Sequence, residues 1–356
     1  MNRVAPSVAN VPVDLFHSQL SGAGVVRDLE QRFADYYGKR YALAVANATL
    51  GLYAVSLALD LSERVVVTTP LSWGGTIAGA FAAGARIEFS DVDSRTLGLR
   101  AGDIMNRQLT RSAAAIVAVD YLGVPADDDA LRRVADGLGA WYIHDAAQSF
   151  GARIEGRPAG SRAHVVVVSL SAGKGLSAGE GGVIVTDDAD LYDRLVWLTQ
   201  HPDRQKRDLG LGHTNEFALN MRINPLAAWW AVMHFDLALE EVRRRAATSG
   251  AIVRAIDASG LSVALGYEHV GLEPSFFRLT ASWCGTADPG ALALLLSGVG
   301  ARGAEVRPAM IIPLYDKYPR GGRRTKLRRS FCRRADHEAA CRFEVLHPGI
   351  GEASVL

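Results

Sequence analysis

Residues 165–182 read VVVVSLSAGKGLSAGEGG, and this stretch decides the fold. Four consecutive valines are apolar at every position, as a strand covered on both faces requires. The run ends at Ser169, and a string of small residues comes next with one lysine, Lys174, inside it. A long cationic side chain at the mouth of a buried strand has two readings. Loops are where lysines ordinarily sit. Alternatively, Lys174 is desolvated, its charged form is disfavoured, and its amine becomes a nucleophile able to condense with an aldehyde. The flanking Ser, Ala and Gly leave room for a flat group to approach the backbone.

Outward from this stretch, short apolar runs recur at 43–46, 65–69, 87–90, 115–120, 141–145, 164–169 and 182–186. Helix-like segments lie between several of them, at 50–59, 76–83 and 128–137. The alternation predicts a mostly parallel, doubly covered α/β sheet over residues 40 to 190. After residue 190 the pattern changes. Asn224 and Pro225 read as the N-cap and first residue of one long helix. Its Trp229, Trp230 and Phe235 read as core or subunit contact. Beyond residue 260 come shorter strands, such as 277–282, and a helix at 291–297. The chain is therefore expected to divide into a large α/β domain, 1–245, and a smaller C-terminal α+β domain, 246–356.

Composition narrows the class. The 356 residues are 49% hydrophobic and 22% charged, with 39 Lys and Arg against 38 acidic residues and a net charge of +1. Such a balance offers no global field for nucleic acid or an anionic membrane. Three scattered cysteines, Cys284, Cys332 and Cys341, have no metal-ligand spacing and fit a reducing compartment. No signal-peptide pattern or membrane-length apolar run is present, so a cytoplasmic enzyme is expected. The basic stretch 320–334 reads as a solvated face, with a site for a phosphorylated or nucleotide-linked substrate as the sharper alternative. Residues 298–303, GVGARG, match a dinucleotide fingerprint, but a helix pattern precedes them and a strand pattern succeeds them. The motif needs the reverse order, so the glycines read as a helix-to-strand turn.

Three further segments fall at strand carboxyl ends, where open α/β sheets bind ligands. Asp145 closes the strand 141–145 and either caps the next helix or presents a carboxylate beside Lys174. Asn47-Ala48-Thr49 precedes a helix, where backbone N–H groups and a hydroxyl suit a phosphate as well as a plain cap. Trp73, after Pro70-Leu71-Ser72, offers an aromatic face for stacking or for core packing.

Taken in order, these segments resemble the DegT/StrS family of fold-type-I, pyridoxal phosphate (PLP)-dependent sugar aminotransferases. The likeness runs over 25–222, more weakly beyond. It rests on the opening LEQRFADYYGKRYALAVAN, the phosphate turn Asn47-Ala48-Thr49, Trp73, His144-Asp145-Ala146-Ala147-Gln148, Ser169 with Lys174 and Gly179-Glu180-Gly181-Gly182, and Asn220-Met221-Arg222. Three positions depart from the family pattern. Ala48 stands where glycine is usual, His144 where glutamate is, and Leu170 where phenylalanine is commoner.

The resemblance implies a fold-type-I architecture with a seven-stranded, mostly parallel sheet. It implies Lys174 as the Schiff-base lysine and Asp145 as partner of the pyridine nitrogen. Gln148 then lies near the phenolic oxygen, while Thr49, the Ala48 amide and Ser169 hold the phosphate. Trp73 and Ala147 cover the two ring faces. Asn220 reaches the phosphate of a neighbouring subunit, so a homodimer with interfacial active sites is implied. The implied reaction moves an amino group from glutamate or glutamine to a keto-sugar or keto-cyclitol of an antibiotic or other secondary-metabolite pathway. The cofactor cycles between PLP and pyridoxamine phosphate (PMP). Two other readings stay open: dehydration, aromatisation or another PLP reaction on a small metabolite, and a non-catalytic regulatory protein that keeps the fold.

Overall fold

The computed structural model describes residues 21–106, 112–258 and 271–283, with 11, 12, 15, 263, 264, 294, 305–308 and 342–346. Apart from Leu294, the helix expected at 291–297 lies outside the described residues. So do the 298–303 turn, the basic stretch 320–334 and the three cysteines.

The chain opens with α1 (Val25–Tyr37), β1 (Tyr41–Val45), α2 (Ala48–Ala58), β2 (Val65–Thr68), α3 (Gly75–Ala82) and β3 (Arg86–Phe89). It continues through α4 (Ala101–Asn106), β4 (Ala113–Val119), α5 (Asp128–Leu138), β5 (Trp141–Asp145) and a short hairpin, β6 (Arg153–Ile154) and β7 (Arg157–Pro158). Then come β8 (Val165–Ser169), β9 (Gly182–Thr186), α6 (Ala189–Thr199), α7 (Pro202–Leu209) and the long α8 (Pro225–Ala258). The described remainder is β10 (Val263–Ala264), β11 (Leu272–Glu273), β12 (Leu279–Trp283), β13 (Glu305–Pro308) and β14 (Arg342–Leu346). α8 carries the chain without a break across the expected domain boundary at 245/246.

The main sheet has seven strands in the order β1-β9-β8-β5-β4-β2-β3. β9 alone runs against its neighbours, β1 and β8; the other pairings are parallel. This is the mostly parallel seven-stranded sheet expected. β8 shows why its valines must all be apolar. Val165 and Val167 face the layer of α2, α3 and α6, whereas Val166 and Val168 face the layer of α1, α5 and α8. All four are fully buried. Each such side chain contributes about 1.5–3 kcal/mol of burial free energy.

The same alternation separates neighbours on β5. Ile143 joins the first layer and Tyr142 the second, so Asp145 and His144 emerge on opposite faces of the sheet. The register pairs Asp145 with Val167 and fixes this choice. A one-residue slip would exchange the two faces.

Two long-range ties brace the frame. Phe33, Phe150 and Phe235 form a cluster of tilted and edge-on rings, with Phe33 and Phe235 5.2 Å apart, joining α1, α8 and the turn after β5. Phe235 and Trp229 are buried, in keeping with their reading as core. Arg204 of α7 grips the Glu30 carboxylate of α1 with two hydrogen bonds of 2.9 Å, and Glu30 Oε1 also accepts the Ala44 N–H at 2.8 Å. No helix among the described residues is long and apolar enough to cross a membrane.

Candidate active site

Five strands end where the chemistry-bearing residues gather. β1 leads into the phosphate turn. Asn47 caps α2 by accepting the Leu50 N–H at 2.9 Å, which places Ala48 and Thr49 in its first turn. The helix thus starts two residues earlier than its apolar pattern suggests, because the cap and not the periodicity sets its end. Ala48 is helical, so the alanine that replaces the family's glycine carries no left-handed strain. The turn is tight against its neighbours. A Cβ on Gly182 would fall 2.7 Å from the Ala48 N and from the Asn47 carbonyl carbon. One on Gly75 would fall 2.8 Å from Thr49 Oγ1 and 3.3 Å from Trp73 Cδ1. Thr49 and Trp73 therefore converge on Gly75, and Trp73 is 74% exposed rather than packed in the core.

Asp145, at the end of β5, is buried. Its Oδ2 accepts the Thr76 hydroxyl at 2.7 Å, and its Oδ1 accepts the Ala147 N–H at 3.0 Å. Since Thr76 donates to Asp145, the 2.6 Å Ser72–Thr76 contact is donated by Ser72. Burial raises the Asp145 pKa above the ordinary carboxylate value; the Thr76 and Ala147 hydrogen bonds and the Lys174 and His144 charges oppose the rise. Gln148 Oε1 accepts the Leu122 N–H at 2.9 Å, which leaves its amide NH2 to donate.

Lys174 lies in the loop between β8 and β9, half-buried. Burial lowers its pKa, the Asp145 carboxylate opposes the drop, and Arg278 adds to it. Its Nζ stands 4.9 Å from the centre of the Phe277 ring, a favourable seat for a cation. Ser169 Oγ is buried near the strand end, 3.4 Å from Ser171 Oγ, which donates to Glu180 at 3.0 Å. Asp145 and Lys174 are thus brought within electrostatic reach, and Thr49 beside Trp73. Asn220 is apart: it is exposed, left-handed at φ 51°, and makes no side-chain hydrogen bond among the described residues.

Several contacts at the site escaped the sequence reading, though Ser72 and Arg222 stand in segments quoted there. Thr76 and Ser72 fix Asp145, and only their i, i+4 spacing hinted at it. Arg222 pairs with Val45 just before the phosphate turn and keeps a buried Nε without a hydrogen-bond partner among the described residues. Phe277 and Arg278 arrive from far along the chain. Ser275 N–H donates to the Gly123 carbonyl at 2.9 Å and Arg278 N–H to that of Leu122 at 3.2 Å, which pins this segment over Lys174.

The DegT/DnrJ/EryC1/StrS aminotransferase family matches residues 14–325. The chain belongs to this family. The fold recurs in an aminotransferase from Psychrobacter cryohalolentis, 24% identical, with a TM-score of 0.76 over 92% of this chain and 87% of that one. It recurs in the sugar aminotransferase CalS13 from Micromonospora echinospora, 24% identical, at 0.75 over 96% and 92%. NtdA from Bacillus subtilis, solved with bound cofactor PMP, is 16% identical, at 0.75 over 92% and 74%. This DegT/StrS chain is accordingly a PLP-dependent aminotransferase of fold type I. Its residues fit that cofactor. The helix start at Ala48–Thr49 and the orphaned Arg222 Nε suit a phosphate, the buried Asp145 suits a ring nitrogen, and the deprotonation-prone Lys174 suits an aldehyde.

Proposed function

We propose that this enzyme moves the amino group of glutamate or glutamine to a keto-sugar or keto-cyclitol in a biosynthetic pathway for an antibiotic or related secondary metabolite. The observation that carries the catalytic assignment is the pairing of a desolvated lysine with a buried, hydrogen-bonded carboxylate at adjacent strand ends. PLP, when bound, supplies an electrophilic carbon and an electron-withdrawing ring. Lys174 would hold that carbon through Nζ and, as a free amine, would be the base for the donor's Cα proton. Burial lowers the lysine's pKa and so favours the free amine. Asp145 would hold a proton on the ring nitrogen, with its two oxygens oriented by Thr76 and the Ala147 N–H. Thr49, the Ala48 amide and Ser169 would hold the phosphate, Gln148 would donate toward the phenolic oxygen, and Trp73 and Ala147 would bound the ring.

A homodimer with interfacial sites completes the proposal. Asn220 projects from a segment that also exposes Phe217 (94%) and Leu219 (48%), a surface suited to a second copy. Asn220 would reach the partner's phosphate from there. The setting we assign is the cytoplasm.

The test is spectroscopic and covalent. The purified enzyme absorbs in the visible with PLP and bleaches on adding glutamate or glutamine. Borohydride reduction fixes the label on the Lys174 peptide, and Lys174→Ala abolishes label and turnover. A label on another lysine, or turnover in Lys174→Ala, overturns the assignment. Keto-acceptors screened against the pyridoxamine form, with product masses recorded, identify the acceptor class; uptake by keto-acids alone refutes the sugar or cyclitol reading.

A further inference from the structure

His144 occupies the strand position before Asp145 but faces the opposite layer, where nothing in the proposed reaction uses it. It is fully buried. Its Nε2 lies 2.9 Å from Asp120 Oδ2 and its Nδ1 3.2 Å from the Tyr142 hydroxyl. The protons around it can be assigned by tracing the donors. Asp128 Oδ2 accepts two backbone N–H groups, from Gly160 at 3.0 Å and Arg162 at 3.2 Å, and Oδ1 takes the Tyr142 hydroxyl at 2.6 Å. Asp128 thus serves as an acceptor in all three contacts. The single proton of Tyr142 is therefore spent on Asp128, and Tyr142 can only accept from Nδ1. On the other side, Asp120 Oδ1 accepts the Ala126 N–H at 2.9 Å, leaving Oδ2 as acceptor for Nε2. Both ring nitrogens must donate, and an imidazole that donates twice is an imidazolium.

We propose that His144 is a charged positioning residue, an imidazolium held behind the sheet by Asp120 and the Tyr142–Asp128 pair, whose positive charge favours the carboxylate form of Asp145 on the catalytic face. The proposal rests on the cofactor-facing role given to Asp145. The surroundings agree. Burial pulls the imidazole down, but the Asp120 charge and hydrogen bond, with Asp128 and Asp145, overcome it and carry His144 up to about 9. The other titratable groups nearby are Asp127 on the cap of α5 and Tyr37 of α1, both within the field of this cluster. Burial and the neighbouring carboxylates push Tyr37 and Tyr142 well up, so both are neutral. On the catalytic face stand Lys174 and, beyond it, Arg278. Gly160, left-handed at φ 87°, seals the ring: a Cβ there would lie 2.6 Å from His144 Cδ2.

The test uses the full chain without cofactor first. In [15N]histidine-labelled protein, assigned by the signal lost in His144→Gln, both ring nitrogens of His144 stay protonated up to about pH 8, well above the free value. A neutral His144 at about pH 7.5 overturns the proposal. In [13C]aspartate-labelled protein, assigned with Asp145→Asn, the Asp145 titration midpoint rises by roughly half a unit or more in His144→Gln, because one buried positive charge is gone. In the PLP-loaded enzyme the pH midpoint of the visible band moves the same way. A folded His144→Gln with an unmoved Asp145 midpoint refutes the coupling, and marks His144 as structural only. Where His144→Gln does not fold, Asp120→Asn serves. The Asp145 midpoint then rises over the pH range in which His144 discharges, and independent titration of the two overturns the proposal. Failure to bind PLP would sink the role of Asp145 yet leave the two apo-protein readouts intact.

Discussion

Replacing Gly182 with alanine tests the geometry of the phosphate turn directly. Gly182 begins β9 and pairs with Val45 on one side and Ser169 on the other. An added methyl would sit 2.7 Å from Ala48 N and from the Asn47 carbonyl carbon, and 3.0 Å from the Asn47 carbonyl oxygen. These are backbone atoms and cannot swing aside as a side chain does. Either β9 leaves its register between β1 and β8, or the N-terminus of α2 moves outward. Overpacking of this kind costs roughly 1–3 kcal/mol. If α2 moves, the loss falls on the cofactor, at about tenfold in affinity for each 1.4 kcal/mol. The assays are urea unfolding of the apoprotein and a PLP titration monitored by absorbance. Gly137→Ala is the control, because Gly137 lies within α5, has open space at its Cβ position and needs no left-handed backbone. That change should stabilise by about 0.5–1 kcal/mol and leave PLP affinity alone. A Gly182→Ala enzyme with wild-type stability and wild-type affinity would refute the close packing of this turn.

Three further outcomes are expected. Arg204→Met strands the Glu30 carboxylate, whose side chain is 8% exposed, with the Ala44 N–H as its one remaining donor among the described residues, and should cost roughly 3–5 kcal/mol in urea unfolding. Thr76→Val removes one of the two hydrogen bonds that steady Asp145, so its carboxylate pKa rises further and PLP binding weakens by roughly 1 kcal/mol, a few-fold in titration. Arg278→Ala removes a charge that depresses the Lys174 amine, so the acidic limb of the rate profile, which reports deprotonation of Lys174, shifts to higher pH. Arg278 is exposed, and the shift should shrink as salt is added.

The sheet was legible because its strands are buried on both faces. Runs such as 65–69 and 164–169 have no polar alternation to blur them, and each appears as a strand within a residue or two of its expected ends. Lys174, Asp145 and Thr49 stood out as candidates for a related reason: they stand where such runs stop. Contacts made across the chain left no local mark. Nothing in the periodicity around Glu30 foretells Arg204, and nothing around Lys174 foretells Phe277. The hairpin of β6 and β7 is too short to carry a pattern, and it finds its third strand, β11, only after α8 has been traversed. His144 was visible as a departure from the family's glutamate. Its partners, Asp120 and Asp128, became apparent only when β4, β5 and α5 were set side by side.

The anchorage of Ser275 and Arg278 on Gly123 and Leu122 has a bearing on biosynthesis. A ribosome reaches Lys174 long before it has made Phe277. The nascent chain therefore owns its reactive amine while the aromatic lid over it is still unwritten. Only when the segment past α8 emerges and docks does the amine acquire its roof. Maturation of the site in this way waits for the segment past α8, and fragments ending before residue 275 should carry the lysine but not its shelter.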